Sequence, residues 1–197
     1  MDDSIVLASE SAARAALLRG AGVAFEALPA RIDEAAVKAA GLAEGASAED
    51  VALVLASMKA ARVRVPGRVV VGADQMLVCE GRWFDKPDSI EAARRQLMQL
   101  RGKSHELVTA VVCMKDGVEI WHHVARPRLL MRSFSDAFLE DYMVREGDAV
   151  LACVGGYRLE GLGVQLFDAV EGDHSAVLGL PLLPLLGFLR QHGVLMG

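Results

Sequence analysis

Cysteine is scarce in this sequence. Cys79, Cys113 and Cys153 are the only 3 in 197 residues, they lie far apart, and none belongs to a CxxC pair. Disulfide frameworks and cysteine zinc sites normally show closely spaced cysteines in even number. The spacing therefore argues against both kinds of site and favours three buried thiols in a reducing compartment.

Aromatic residues and net positive charge are also in short supply. Aromatics make up 5% of the chain and the formal net charge is −5. A protein that binds single strands needs aromatic rings for stacking, and one that binds DNA or RNA needs a basic face. We therefore expect no nucleic-acid partner, although a few cations in one cleft can still bind a small anion.

The pattern of apolar and charged residues shows neither a membrane-spanning segment nor an export signal. The longest apolar run, residues 176–189, is interrupted by Pro181 and Pro184 and is too short to span a bilayer. The first residues, Met1-Asp2-Asp3-Ser4, are acidic and lack the basic start of a signal peptide. These features predict a cytoplasmic protein without a membrane partner.

Hydrophobic residues are plentiful, at 53%, so the chain has enough apolar surface to fold without a disulfide or structural metal. Strand and helix patterns alternate, which predicts an α/β fold with a mixed sheet. The clearest strand contains Val69-Val70-Val71 and is expected to be buried on both faces. Other predicted elements are serine-capped helices after positions 47, 89 and 135, the first of them over residues 48–65, a hairpin over residues 107–124, a strand over residues 164–170 and a last helix opened by Pro181.

A first candidate site joins Ser9, Ser11 and Arg14. A strand runs here into a helix N-terminus, where unpaired N–H groups and the helix dipole attract anions. Arg14, about one turn into the helix, adds a bidentate phosphate contact. The alternative is that a serine merely caps the helix and Arg14 is solvated.

A second candidate is Asp74, in the segment Gly72-Ala73-Asp74-Gln75. We expect this acid at the carboxyl end of the Val-rich strand, where α/β sheets open into ligand crevices. A carboxylate there can hold a divalent cation or accept a proton from water. The alternative is an aspartate that caps a turn.

Two lysines and a further acid complete the candidates. Lys59 and Lys86 together suit a polyphosphate, although most lysines are solvated surface charges. Glu34, which follows Asp33, is a second carboxylate for the same metal or simply part of an acidic helix start.

In this order, these segments resemble the Maf family of nucleoside triphosphate pyrophosphatases over nearly the whole chain. The matching elements are Leu7-Ala8-Ser9 with Ser11 and Arg14, Asp33-Glu34, Lys59-Ala60, Gly72-Ala73-Asp74-Gln75, Asp85-Lys86-Pro87, Gly102-Lys103 with His105 and Thr109, Glu160-Gly161-Leu162-Gly163, Val170-Glu171-Gly172-Asp173, and Val177 with Gly179-Leu180-Pro181. No single piece is diagnostic, but the ordered set is specific.

The resemblance implies one domain over residues 1–197 with two lobes around an active-site cleft, an elongated mixed β-sheet flanked by helices, and a fold related to inosine triphosphate pyrophosphatases. It implies a homodimer that hydrolyses a nucleoside triphosphate to the monophosphate and pyrophosphate with Mg²⁺, Mn²⁺ or Co²⁺. The site residues it implies are Asp74 as proton acceptor, Glu34 and Asp74 at the metal, Ser9, Ser11, Arg14, Lys59, Gln75 and Lys86 at the substrate, and Glu160 in base selection.

Departures from the family pattern bear on the substrate. Ala12 and Ala13 stand where the family usually has Pro and then Arg or Trp. Gln75 and Glu160 resemble the branch that acts on 7-methyl-GTP, whereas the branch that prefers dTTP and UTP has Thr and Gln there. Two other functions stay open: a nucleotide-binding regulator of septum formation with weak or no catalysis, and a phosphatase of another phosphorylated metabolite.

Overall fold

The computed structural model describes residues 4–196. Over this range the chain forms seven α-helices and one eight-stranded sheet. The strands are β1 (Ile5–Leu7), β2 (Phe25–Ala27), β3 (Val69–Cys79), β4 (Arg82–Phe84), β5 (Ser104–Lys115), β6 (Val118–Ala125), β7 (Arg128–Met131) and β8 (Phe167–Glu171). The helices are α1 (Ala12–Gly20), α2 (Glu34–Glu44), α3 (Ala48–Arg62), α4 (Ile90–Leu100), α5 (Asp136–Glu146), α6 (His174–Val177) and α7 (Leu182–Gln191). Short 3₁₀ helices occupy Gly147–Ala152, Val154–Gly156 and Leu162–Leu166.

The sheet is mixed. Its strand order is β2-β1-β3-β5-β7-β8, with β4 paired to β3 and β6 paired to β5. Strand β1 pairs in parallel with β2 and β3, while β5 pairs antiparallel with β6 and β7. The α/β class with a mixed sheet is therefore confirmed.

The chain divides into two compact units, and strands β3 and β5 each contribute residues to both. The first unit contains the described residues up to Gln75, Thr109–Ala125, and the chain from Gly179 onward. The second contains Met76–Val108 and Arg126–Leu178. The predicted cleft with two lobes around it stays a prediction.

Each unit has its own apolar core. In the first unit, Ile5 and Leu7 of β1 pack with Val71 of β3, and Leu18 of α1 joins the same cluster. These strand residues are fully or almost fully buried because the apolar run leaves no solvated face. The second core is built around α4, α5 and β7 and includes Leu97, Leu129, Met131, Leu139 and Tyr142.

The serine caps expected from the sequence mark the starts of three helices correctly. Ser47, Ser89 and Ser135 cap α3, α4 and α5, and each side chain accepts a hydrogen bond from a backbone N–H of the first turn. Helix α3 ends at Arg62 and not at residue 65, because Val63 is already extended ahead of Pro66.

One predicted strand needs correction, and one helix was missed. The strand predicted over residues 164–170 begins only at Phe167, because Leu162–Leu166 coils into a 3₁₀ helix. This 3₁₀ helix packs closely against the preceding turn, because a Cβ on Gly163 would lie 2.4 Å from the backbone oxygen of Arg158. Helix α2 was not predicted outright; Asp33 is its N-cap, so the acidic-helix-start interpretation of this segment is confirmed.

The three cysteines are free thiols, with Cys79 and Cys113 buried and Cys153 only partly so. Within residues 4–196, no helix combines the length and the apolar composition that crossing a bilayer requires.

His105 in β5 makes the stability of the fold depend on pH. Its side chain is buried among Tyr157 and Phe167, and its Nε2 shares a 2.7 Å hydrogen bond with the Tyr157 hydroxyl. Burial lowers the pKa of the imidazole from 6.5 to about 4. Between these values the unfolded chain binds a proton that the folded chain does not, so stability falls as the pH drops through this window.

We expect the free energy of unfolding to fall by up to about 3 kcal/mol between pH 7 and pH 4 through this one group. His105→Gln should remove that part of the pH dependence, as measured by urea unfolding at several pH values. His174→Gln, at an exposed position, is the control and should keep it. A full slope retained in His105→Gln would show that other groups cause it.

Candidate active site

The first unit contains a buried ion pair. Lys59 Nζ is 2.5 Å from Oδ1 of Asp74 and 2.7 Å from Oε1 of Glu34. The side chains of Lys59 and Asp74 are 9% and 5% exposed, whereas that of Glu34 is 42% exposed. Three of the predicted site residues are therefore brought together, from α2, α3 and β3.

Asp74 does not lie where the sequence predicted it. It was expected directly after the Val-rich strand, at its carboxyl end or capping a turn, with residues 75–79 extended beyond it. One strand, β3, instead runs from Val69 to Cys79, and Asp74 lies inside it. The chain stays extended because Met76 and Leu77 after it are buried apolar residues that belong to the sheet. The carboxylate is thus held by a rigid strand and not by a loop.

Gly72 is the reason that Lys59 can reach Asp74. A Cβ on Gly72 would lie 2.1 Å from the backbone oxygen of Ala56 and 2.7 Å from the nitrogen of Ala60. Helix α3 therefore lies in backbone contact with β3, and the small residues Ala56 and Ala60 flank Lys59 at the closest point. Only a glycine at this strand position permits so short a distance.

The environment of Asp74 suits proton transfer. Burial raises the pKa of its carboxyl above the usual value, and the positive charges of Lys59 and Arg14 offset part of that rise. Its second oxygen, Oδ2, is buried and has no hydrogen-bond partner among the described residues. A carboxylate with one paired and one unpaired oxygen can accept a proton or bind a cation.

The residues of the anion site predicted at the start of α1 lie together and contact one another. Ser11 is the N-cap and accepts a hydrogen bond from the Arg14 backbone N–H, so the capping interpretation is correct for this serine. The Ser9 hydroxyl, which is buried, accepts from Arg14 Nη1 at 3.1 Å and from the Ser11 N–H at 3.2 Å. Arg14 is therefore fixed at the helix N-terminus and is not a solvated side chain.

Gln75 is oriented by a residue to which the sequence assigned no role. Its Nε2 donates to Oγ1 of Thr109 at 2.9 Å, and Thr109 is completely buried in β5. A hydroxyl within the apolar run Leu107–Met114 was the available signal, because a buried polar group there requires a partner.

Lys86 and Glu160 belong to the second unit, and both are exposed. Lys86 lies in the segment between β4 and α4. Glu160 lies in a turn whose two ends are bound to the carboxylate of Glu146. Arg158 donates a hydrogen bond to Glu146 Oε2 at 2.9 Å, and the Leu162 N–H donates one to Glu146 Oε1 at 3.1 Å. The roles of Lys86 and Glu160 in substrate binding stay predictions.

The donors present are compatible with a divalent cation. Among residues 4–196, no group of three or more His, Cys, Asp or Glu side chains is arranged to hold a metal ion. Asp74, with its unpaired buried oxygen, and Glu34 nevertheless offer the carboxylate oxygens that Mg²⁺ prefers. Because Mg²⁺ usually binds through one or two carboxylates plus substrate phosphates and water, these two residues suit a cation held jointly with a substrate.

A family model described as Maf-like protein matches residues 4–192. The chain belongs to the Maf family. A Maf relative from Granulibacter bethesdensis, named nucleoside triphosphate pyrophosphatase, is 55% identical over 97% of this chain and 98% of its own. One of the same name from Rhodospirillum rubrum is 53% identical over 98% of this chain and 96% of its own.

A third relative carries a narrower name. The Maf protein from Brucella abortus, named 7-methyl-GTP pyrophosphatase, is 47% identical over 97% of both chains. Among solved structures, a nucleoside-triphosphatase / dITP/XTP pyrophosphatase from Mycobacterium abscessus aligns with a TM-score of 0.41 and 18% identity over 96% of this chain and 97% of that chain.

Replacing Gly72 should disrupt the site and the fold together. The methyl of Gly72→Ala would overlap the α3 backbone, so we expect a loss of roughly 3 kcal/mol or more in the free energy of unfolding. Gly187→Ala, in helix α7, is the matched control, because a Cβ there meets nothing within 4 Å. It should stabilise the protein by about 0.5–1 kcal/mol. Urea unfolding of both variants provides the measurement, and equal stability of the two would refute the close approach.

Proposed function

We propose that this protein is a hydrolase that cleaves a non-standard or methylated nucleoside triphosphate, with 7-methyl-GTP as the candidate substrate, to the monophosphate and pyrophosphate. The observation that supports it most strongly is the buried Asp74 carboxylate with an unpaired oxygen, placed beside Lys59. The family of the chain and the names of its relatives agree with this chemistry.

The reaction requires water to attack the α-phosphorus. A bond forms from the water oxygen to that phosphorus, the bond to the bridging oxygen of the β-phosphate breaks, and pyrophosphate leaves. The proton of the water passes to the carboxylate of Asp74, whose pKa burial has raised. Arg14 and Lys59 balance the negative charge that the triphosphate brings, and this is the main task of proteins in phosphoryl transfer.

The substrate phosphates bind at the start of α1 in this proposal. Ser9 and Ser11 lie in the turn before the helix, where the backbone N–H groups of the first turn and the helix dipole favour an anion. Arg14 adds a planar fork of donors suited to phosphate oxygens. Lys86 of the second unit is proposed as a further phosphate ligand.

Glu34 and Asp74 would hold the divalent cation. When bound, the cation neutralises phosphate charge and lowers the pKa of a coordinated water. In the absence of a cation, Lys59 contacts both carboxylates and offsets part of their negative charge.

Asp74→Asn should abolish most of the activity. The amide keeps the size of the side chain but accepts no proton, so we expect kcat to fall by about 10²- to 10⁴-fold. The measurement is pyrophosphate release from a panel of nucleotides with Mg²⁺, Mn²⁺ or Co²⁺. The control is Asp141→Asn, which removes only an exposed charge paired with Arg145 and should leave the rate unchanged.

Three outcomes would contradict this assignment. A rate in Asp74→Asn within twofold of wild type would remove Asp74 from catalysis. Release of orthophosphate in place of pyrophosphate would favour a phosphatase. Tight nucleotide binding without turnover in wild type would favour a regulatory function.

Preference for a methylated guanine is proposed from Glu160 and Gln75. A carboxylate accepts hydrogen bonds from the N–H groups of a guanine edge and attracts the positive charge of the 7-methylated ring. Glu160 is exposed at the turn held by Glu146, which leaves its carboxylate available to a ligand. The relative from Brucella abortus carries the name of this activity.

Glu160→Gln should shift the preference between substrates. We expect the ratio of kcat/KM for 7-methyl-GTP to that for UTP to fall about tenfold, which corresponds to about 1.4 kcal/mol and to the loss of one charge-assisted hydrogen bond. Glu171→Gln, at an exposed position of β8, is the control and should leave the ratio unchanged. An unaltered ratio in Glu160→Gln would exclude Glu160 from base selection.

A further inference from the structure

The C-terminal segment of the chain contacts Arg14. The Arg14 Nε–H donates a 2.7 Å hydrogen bond to the carbonyl oxygen of Gly179, which is 165 positions away in the sequence. Gly179 belongs to the same unit as Arg14 and lies just before α7. It is followed by Leu180, which is fully buried in the core of that unit. The carbonyl is therefore presented by a firmly packed segment.

Two separate features favour glycine at residue 179. Its φ of +96° lies in the region that side chains rarely adopt. A Cβ there would also lie 3.3 Å from Nε, 3.5 Å from Nη2 and 3.7 Å from Cζ of Arg14. Any side chain would thus press against the guanidinium group.

We propose that Gly179 is a positioning residue for Arg14 in binding the pyrophosphate portion of the substrate. The Gly179 carbonyl fixes the guanidinium by accepting the hydrogen bond from Nε. Because glycine has no side chain, residue 179 does not cover the guanidinium group. The proposal rests on the proposed function, because it takes Arg14 as a phosphate ligand.

Two anchors together set the orientation of the guanidinium. Ser9 accepts from Nη1, and Gly179 accepts from Nε. Because the guanidinium is planar, two hydrogen bonds to it fix the directions of its remaining donors as well. An arginine that is already ordered loses less side-chain entropy when phosphate binds, which strengthens binding. The motif around Gly179 thereby has a role at the phosphate site although it lies at the other end of the chain.

The test compares two glycines of positive φ near the C-terminus. Gly179→Ala introduces both backbone strain and a methyl group against Arg14. Gly193→Ala, at φ +68°, introduces the strain alone, because a Cβ there meets nothing within 4 Å. Inorganic pyrophosphate serves as the probe, and its inhibition constant is measured together with KM and kcat for the nucleotide.

We expect Gly179→Ala to raise the inhibition constant of pyrophosphate and the KM by about tenfold each, with kcat changed less than threefold. Gly193→Ala should leave these constants within about twofold of wild type. If Gly179 had a purely structural role, Gly179→Ala would lower the stability of the protein but would not raise KM selectively over kcat. An unchanged inhibition constant in folded Gly179→Ala would overturn the proposal.

Arg14→Lys decides whether Gly179 acts through Arg14. Lysine keeps the charge but lacks the planar fork, so the inhibition constant should rise about tenfold even if Gly179→Ala does not fold. In the Arg14→Lys background, Gly179→Ala should add less than about twofold, since coupled residues are not additive. Full additivity, or an unchanged constant in Arg14→Lys, would overturn the proposal. Absence of pyrophosphate release from wild type would instead overturn the proposed function.

Discussion

The site depends on one buried ion pair between a helix and a strand. A buried charge is tolerated only when it is paired, so Asp74 and Lys59 require each other. Their meeting requires α3 to touch β3 backbone to backbone, which Gly72 permits. The same pairing leaves one Asp74 oxygen without a hydrogen-bond partner among residues 4–196, and this oxygen is the one available for the proposed chemistry.

The proposed phosphate-binding part of the site also consists of groups that are held in place. Arg14 is held from two directions, by the Ser9 hydroxyl and by the Gly179 carbonyl. The positive charge of Arg14 lowers the pKa of Asp74 and so offsets part of the rise that burial causes. The first unit thus combines a buried carboxylate, a paired lysine and an ordered arginine, which are the groups that the proposed phosphoryl transfer requires.

Local patterns were sufficient for much of the fold. The serine caps of α3, α4 and α5 and the Val-rich part of β3 follow from interactions among neighbouring residues, and these predictions hold. The strand expected over residues 164–170 was wrong in its first half, because close contact with the Arg158 backbone imposes a turn there. The position of Asp74 was also misjudged, because Asp74 was taken to follow the Val-rich strand whereas β3 runs through it.

The sequence by itself determined the α/β class, most helix starts, the family of the chain and the identity of the charged residues in the first unit's site. Only the tertiary structure decided which of these charges are paired. Lys59 reaches Asp74 because two elements pack at backbone distance, and Gly179 reaches Arg14 across 165 positions of sequence. Contacts of this kind depend on how the elements pack, and a local pattern of residues carries no information about packing between distant segments.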